Sequence, residues 1–254
     1  MIQHPIALLL MLLLPLSLPA KMAKGVIQVN DVDWTPFFMQ GARKGFAHEI
    51  LQAFLDDNHL SHAFILLPPP RTEAYMKSGE VDLCVYSRKK ERENYVWFGR
   101  EPLFSVDYRT AVRADSNLSF HSLEDLEPYR IGRTRGIAYI PEIASFLDRP
   151  GVASRTSMTK HLNAQVLMLV AGRIDALIEA TSAVGWKAAE NRVAHRIAFT
   201  RPALSTKPYY LTVSKDSKTL VDGPKFLATF DTWLKGFKNT PDYSAPARSY
   251  ALQQ

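Results

Sequence analysis

Arg88-Lys89-Lys90-Glu91-Arg92-Glu93 is an unbroken run of charged side chains that follows directly on Tyr86-Ser87 at the end of an apolar stretch. A guanidinium such as that of Arg92 offers two parallel donors in one plane and suits a carboxylate, although runs of this kind also serve as solvated faces. Arg135 precedes Gly136-Ile137-Ala138-Tyr139, which is expected to open a helix, where free backbone N–H groups and the dipole favour an anion. Arg71 follows Pro68-Pro69-Pro70 and either flanks a helix or faces a cleft. For acid–base work the candidates are Glu179, His48 and His161. No Ser/His/Asp arrangement, Gly-x-Ser-x-Gly or His-Glu-x-x-His pattern occurs, so hydrolysis has little support. Cys84 is the only cysteine, which excludes an internal disulfide and a cysteine-based zinc site; no metal or cofactor is expected.

These residues need a frame, and the hydropathy pattern supplies one. Val26 to Val29 reads as a strand and Gly45 to Leu55 as a helix, with Phe46, Ile50, Leu51, Phe54 and Leu55 at helical spacing. A strand Ala63 to Leu67, a short helix Arg71 to Ser78 and a strand Val81 to Tyr86 follow. After a connecting strand Val106 to Val112 the series begins again. It runs strand Tyr129 to Gly132, helix Tyr139 to Leu147, strand Val152 to Ser154, helix His161 to Ala171 and strand Ile174 to Ile178. Thr181 or Ser182 is expected to cap a helix reaching about Asn191. Strands Arg196 to Phe199 and Tyr209 to Val213 lead to a last helix, Pro224 to Phe237, and residues 238–254 read as a loosely attached tail.

Two strand–helix–strand series in succession mean an α/β protein with mainly parallel sheets. The chain also nearly repeats itself. Ser78-Gly79-Glu80-Val81-Asp82-Leu83-Cys84-Val85 and Ala171-Gly172-Arg173-Ile174-Asp175-Ala176-Leu177-Ile178 share one order: helix end, Gly, charged residue, β-branched residue, Asp, apolar strand. Two lobes of like construction follow, with the crevice between them as the natural site.

Composition agrees. The chain has 254 residues, 46% hydrophobic and 22% charged, enough for one to two domains of roughly 150 residues. A disordered, collagenous or coiled-coil chain is excluded. The net charge of +6 comes from basic residues scattered among acidic ones, so no nucleic-acid partner is expected. Residues 6–14 are continuously apolar, and the run passes Pro15 and Pro19 to Ala20 before polarity begins at Lys21. Residues 1–20 are therefore expected to be a signal peptide, and the exported mature chain is expected in the periplasm of a two-membrane bacterium, or secreted.

At this point the chain resembles the family 3 extracellular solute-binding proteins, the amino-acid-binding-like periplasmic proteins of ABC importers. The resemblance runs from about Val26 to Phe237. It rests on Trp34-Thr35-Pro36-Phe37, on Gly45-Phe46-Ala47-His48-Glu49-Ile50, on the two Gly-x-[Val/Ile]-Asp units, and on Glu91-Arg92 followed by Val96-Trp97-Phe98. It implies a two-lobed periplasmic-binding-protein type II fold, each lobe a mainly parallel sheet flanked by helices, joined by two crossing strands near Tyr108 to Ala114 and Ala203 to Tyr209. Lobe one would be 21–110 with 206–254, and lobe two 111–205.

The same resemblance assigns residues. Arg92 matches the arginine that grips a ligand carboxylate, and Ser87 or the hydroxyl of Tyr86 would stand in for a threonine replaced here by Lys89. Trp34 and Phe37 resemble the aromatic wall around the solute. Arg71, Arg135 and Gly136 would complete the ligand-binding set, with Ile137 in place of a family hydroxyl residue. Amino-acid binders usually carry an Asp five residues beyond the Asp of the second unit. Here that position is Ala180 and the acid, Glu179, stands one residue earlier, on the opposite face of a regular strand. A carboxylate or other anionic solute is thus expected at least as readily as an α-amino acid.

The leading reading is a monomeric, non-enzymatic periplasmic protein delivering a small polar or anionic solute to an ABC permease. A periplasmic dehydratase-like enzyme on the same fold and a soluble sensory module serving a membrane receptor are the alternatives.

Overall fold

Strands that are apolar on both faces demand helices on both sides of the sheet, and the chain alternates accordingly. The computed structural model describes residues 22–135 and 139–250. The expected signal peptide and Gly136 lie outside the described residues. The first half contains β1 (Ile27–Asp31), α1 (Phe46–Asp57), β2 (His62–Leu66), α2 (Pro69–Ser78), β3 (Leu83–Tyr86) and β4 (Val96–Phe98). A long strand β5 (Phe104–Arg113) leads into the second half: β6 (Ile131–Thr134), α3 (Pro141–Leu147), α4 (Pro150–Ala153), β7 (Thr156–Thr159), α5 (Leu162–Val170), β8 (Ala176–Ala180), α6 (Thr181–Glu190) and β9 (Ile197–Phe199). The chain returns through β10 (Ser205–Ser214), α7 (Gly223–Phe237) and α8 (Pro241–Ser249).

The strand order is β2-β1-β3-β10-β5-β8-β6-β7, with β4 beside β10 and β9 beside β5. β1 is parallel to β2 and β3, and β6 is parallel to β7 and β8. Each parallel trio is then extended by one antiparallel long strand, β10 against β3 and β5 against β8. The two long strands pair with each other, Phe104 to Tyr108 against Tyr209 to Ser205, and so carry the chain between the halves twice.

The internal repeat has a structural cause. Gly79 and Gly172 both adopt left-handed backbone (φ 72° and 68°), which a side chain at either position would resist. The two aspartates then do the same job. Asp82 accepts the backbone N–H of Gln28 at 2.8 Å, and Asp175 accepts that of Arg130 at 2.9 Å, so each ties the start of its strand to the central parallel neighbour.

In the first half α1 and α7 pack Phe54 edge-on against Phe226 and Phe230. In the second, Ile131, Phe146 and Val152 form one buried cluster and Val166, Leu169 and Val184 another.

Four expectations are corrected. Val152 to Ser154 is not a strand: Pro150 starts the helical turn α4, which buries Val152, and the strand is the polar segment Thr156–Thr159. The helix expected from Tyr139 begins at Pro141, because the residue before a proline, Ile140, is held extended (ψ 155°). Ala180, not Thr181 or Ser182, is the N-cap of α6, and no side chain caps it.

The loosely attached tail is the largest correction. Residues 241–249 form α8, and Tyr250 behind it is only 1% exposed. Its hydroxyl donates to Glu49 and accepts the N–H of Gly45 at 3.1 Å, both at the start of α1. The guanidinium of Arg43 lies over the rings of Tyr250 (4.3 Å) and of Trp186 on α6 (4.7 Å). Removing so large a buried ring leaves a cavity, so Tyr250→Ala should lower the unfolding free energy by about 3 kcal/mol in urea melts. A change below about 0.5 kcal/mol would mean that the terminus is dispensable.

Candidate functional site

In open α/β sheets ligands collect beyond the carboxyl ends of the parallel strands. The candidate residues fall there in turn. Trp34 follows β1, Tyr86 ends β3 with Ser87 and Arg92 after it, Arg135 follows β6, and Glu179 is the penultimate residue of β8.

Arg92 is fixed by its own loop. A 3-10 turn, Arg92–Asn94, folds the charged run back so that Nη1 of Arg92 donates to the carbonyl of Ser87 at 2.9 Å and to its Oγ at 3.2 Å. The guanidinium stacks over the ring of Tyr86 at 4.3 Å. Three candidates thus form one cluster, and the Nε–Nη2 edge of the guanidinium makes no hydrogen bond among the described residues. No carboxylate lies within ion-pair distance of Arg92 among the described residues. By contrast Glu73, which feels the charge of Arg92, is held by Lys77 at 2.9 Å. A pre-oriented fork without an anion is what a carboxylate ligand requires.

Of the two rings expected to form an aromatic wall, one is half-open and the other is buried. Trp34 is half-buried and meets Tyr209 of β10 at 4.7 Å between ring centroids. Phe37 is only 1% exposed and stacks on Phe104 at 4.0 Å, so it is core behind Trp34 and not a surface. Tyr209 and Lys207, both on β10 and both half-buried, lie where the charge of Arg92 reaches them, and the sequence did not single them out. The strand itself was legible; its pairing was not. Arg71 is exposed on the first turn of α2 and Arg135 is exposed after β6, and neither side chain touches the Arg92 cluster among the described residues.

β5 pairs Arg109 with Glu179 and Tyr108 with Ala180, so Glu179 leaves the sheet on the face of Arg109. No bulge reverses it in the register of these pairs. Glu179 is 2% exposed; Oε1 accepts the N–H of Ala180 at 2.9 Å, and Oε2 has no hydrogen-bond partner among the described residues. Burial pushes its carboxyl up to about 7, with the Ala180 bond opposing in part. Burial first, and then the charge of Glu179, push the phenol of Tyr139 up, and Tyr108 is raised by burial, Tyr209 and Glu179 in that order. A buried carboxyl of this kind offers no open anionic surface to an ammonium.

The other acid–base candidates are elsewhere. His48 is 6% exposed with its ring stacked on Phe64 at 3.7 Å, and His161 is exposed before α5. The thiol of Cys84 is pushed up to about 12 by burial, so it is no nucleophile at neutral pH. Among the described residues no group of three His, Cys, Asp or Glu is placed to hold a metal ion. A separate groove of about 1140 Å³ is lined by Arg109, Ser182, Gly185 and Phe199, among others, and by none of the candidate residues.

This topology finds counterparts among solved structures. An ancestral cationic amino acid solute binding protein superposes with a TM-score of 0.71 at 17% identity, over 89% of this chain and 95% of that one. The chain has the periplasmic-binding-protein fold. The second substrate binding domain of a protein assigned as an amino acid ABC transporter of Streptococcus pneumoniae shares the fold at TM-score 0.69 and 16% identity, over 89% of this chain and 99% of that domain. A histidine kinase sensor domain shares it at TM-score 0.62 and 20% identity, over 91% of this chain and 97% of that chain. No model of a known protein family matches the chain, and no curated protein does. Binding proteins and a sensor domain thus use the fold, and their structures agree with the resemblance drawn from the motifs.

Proposed function

We propose that this chain is a solute-binding protein of the family 3 type, which captures a small polar or anionic solute between two lobes and is not an enzyme. Lobe one comprises 21–110 and 206–254, lobe two 111–205, and the mature protein works in the periplasm after loss of residues 1–20. The observation that carries this reading is the guanidinium of Arg92, fixed by Ser87 and Tyr86 and lacking any anion among the described residues. Tyr209, which feels the charge of Arg92, packs ring to ring with Trp34 and adds aromatic surface. The solute passes to an ABC permease. Delivery to a membrane receptor is the second reading, favoured by the likeness to a histidine kinase sensor domain.

Thermal unfolding of the ligand-stripped protein against amino acids, keto acids, dicarboxylates, polyamines and aromatic acids tests the proposal. A ligand at about 100 times its dissociation constant adds about 2.7 kcal/mol, a readily measured rise in midpoint. A rise with one anionic or amino-acid-like class is the expected result. Turnover of any of these compounds, or no rise with any, would overturn the reading.

A further inference from the structure

Taking that anion-binding reading as its base, we propose that the site holds a small dicarboxylate, one carboxylate on Arg92 and the other on Lys207 of the crossing strand β10. The argument begins with register. β10 and β3 pair Val213 with Leu83, Leu211 with Val85 and Tyr210 with Tyr86. The ladder ends at Tyr210 and Tyr86, and β10 carries Tyr209 and Lys207 past that end, where the loop with Ser87, Lys89 and Arg92 leaves β3. Lys207 and Tyr209, two residues apart on one strand, project from the same face, and Tyr209 is the ring that packs against Trp34.

The electrostatics agree with that placement. Burial holds the ammonium of Lys207 below its ordinary range, and the charges of Lys89 and Arg92 hold it down further. The charges of Lys89, Arg92 and Lys207 therefore reach one stretch of the crevice, and two of the three, Arg92 and Lys207, are half-buried. None of the three has a carboxylate within ion-pair distance among the described residues. Glu73, which feels the charges of Arg92 and Lys89, is bound to Lys77. Glu179 is buried with its own backbone as partner. Gathering unpaired cations costs free energy that a protein recovers only when an anion fills the space between them. A monocarboxylate on Arg92 would leave Lys207 uncompensated. A second carboxylate satisfies it, and Lys207, a point charge on a flexible stem, adapts to its position where a second arginine would dictate geometry.

The test is calorimetric titration of the ligand-stripped protein with malonate, succinate, glutarate and adipate, each against the monocarboxylate of equal length, at low ionic strength. At least one dicarboxylate should bind about tenfold or more tightly than its monocarboxylate partner. Lys207→Met should abolish that discrimination, while Lys207→Arg, which keeps the charge, should retain part of it. Thermal melts of the ligand-free variants establish that they are folded. Equal binding within every pair, or discrimination that survives Lys207→Met, would overturn the proposal. If zwitterionic amino acids bind and no dicarboxylate does, the dicarboxylate assignment falls while solute binding stands. If neither these compounds nor the wider panel bind, both fall.

Discussion

Replacing Arg92 by alanine should weaken binding of a carboxylate ligand by about a hundredfold or more while leaving the protein folded. The expected loss, about 3 kcal/mol, is that of removing one partner from a charge-assisted, partly desolvated pair. The folded state loses far less. Arg92 contributes to it two hydrogen bonds to Ser87 and the stacking on Tyr86, on a half-buried loop. Such contacts are worth about 1 kcal/mol, and no buried carboxylate is orphaned by the change. Arg92→Lys separates charge from shape: it keeps the cation and loses the fork, and should recover only part of the affinity. Titration with the ligand found in the thermal panel measures both. Alanine binding as tightly as the parent would remove Arg92 from the site and with it the main support for an anionic solute.

The second large effect concerns Glu179 and pH. Its carboxyl titrates near 7 in the folded protein, against 4.5 as an ordinary glutamate, because burial disfavours the charged form. Between these values the folded state holds a proton that the unfolded chain has released. Stability from this group is therefore fully present below about pH 4.5 and lost as pH rises through about 7. A shift of this size corresponds to about 3 kcal/mol. Glu179→Gln keeps the shape and removes the titration. In urea melts the parent should lose about 3 kcal/mol relative to the glutamine variant between pH 4 and pH 8. A difference that stays flat across that range would show that the carboxyl is ionised or solvated in the folded state.

How much of this could be read from the sequence follows from the range of the interactions involved. Val81 to Val85 and Ile174 to Ile178 announced strands because a parallel strand under helices is apolar on both faces, a local signature. β7 hid because Thr156–Thr159 is a polar edge with no such pattern, and Val152 to Ser154 beside it reads as a strand although Pro150–Ala153 forms a helical turn. The C-terminal helix was invisible for another reason. Its hold on the molecule is the contact of Tyr250 with Glu49 and Gly45 from the other end of the chain, which no window of sequence contains.

The site divides in the same way. Tyr86, Ser87 and Arg92 lie within one short segment, and one tight turn brings them together, so their grouping was legible. Lys207 and Tyr209 reach them through the β3–β10 ladder, and Pro208 between them gave no hint of a ligand role. Trp34 and Phe37 had the same claim on sequence grounds. Packing alone separates them, because stacking on Phe104 takes Phe37 out of reach. For Glu179 the unbulged register puts the side chain on the face of Arg109, and side-chain direction in a strand has a period of two, so an offset of one residue changes the face.

Arg43 lies between the ring of Tyr250, beside α1, and that of Trp186 on α6, and so links the two halves without touching the Arg92 cluster among the described residues. Whatever free energy that stack gives to one relative arrangement of the halves sets how often the unliganded molecule visits the arrangement competent to bind. Apparent affinity is the intrinsic affinity scaled by that occupancy, so a stack worth about 1.4 kcal/mol alters it about tenfold. On the proposed solute-binding reading, affinity can therefore be tuned by evolution or by design at Arg43, Tyr250 and Trp186, none of them a proposed ligand contact.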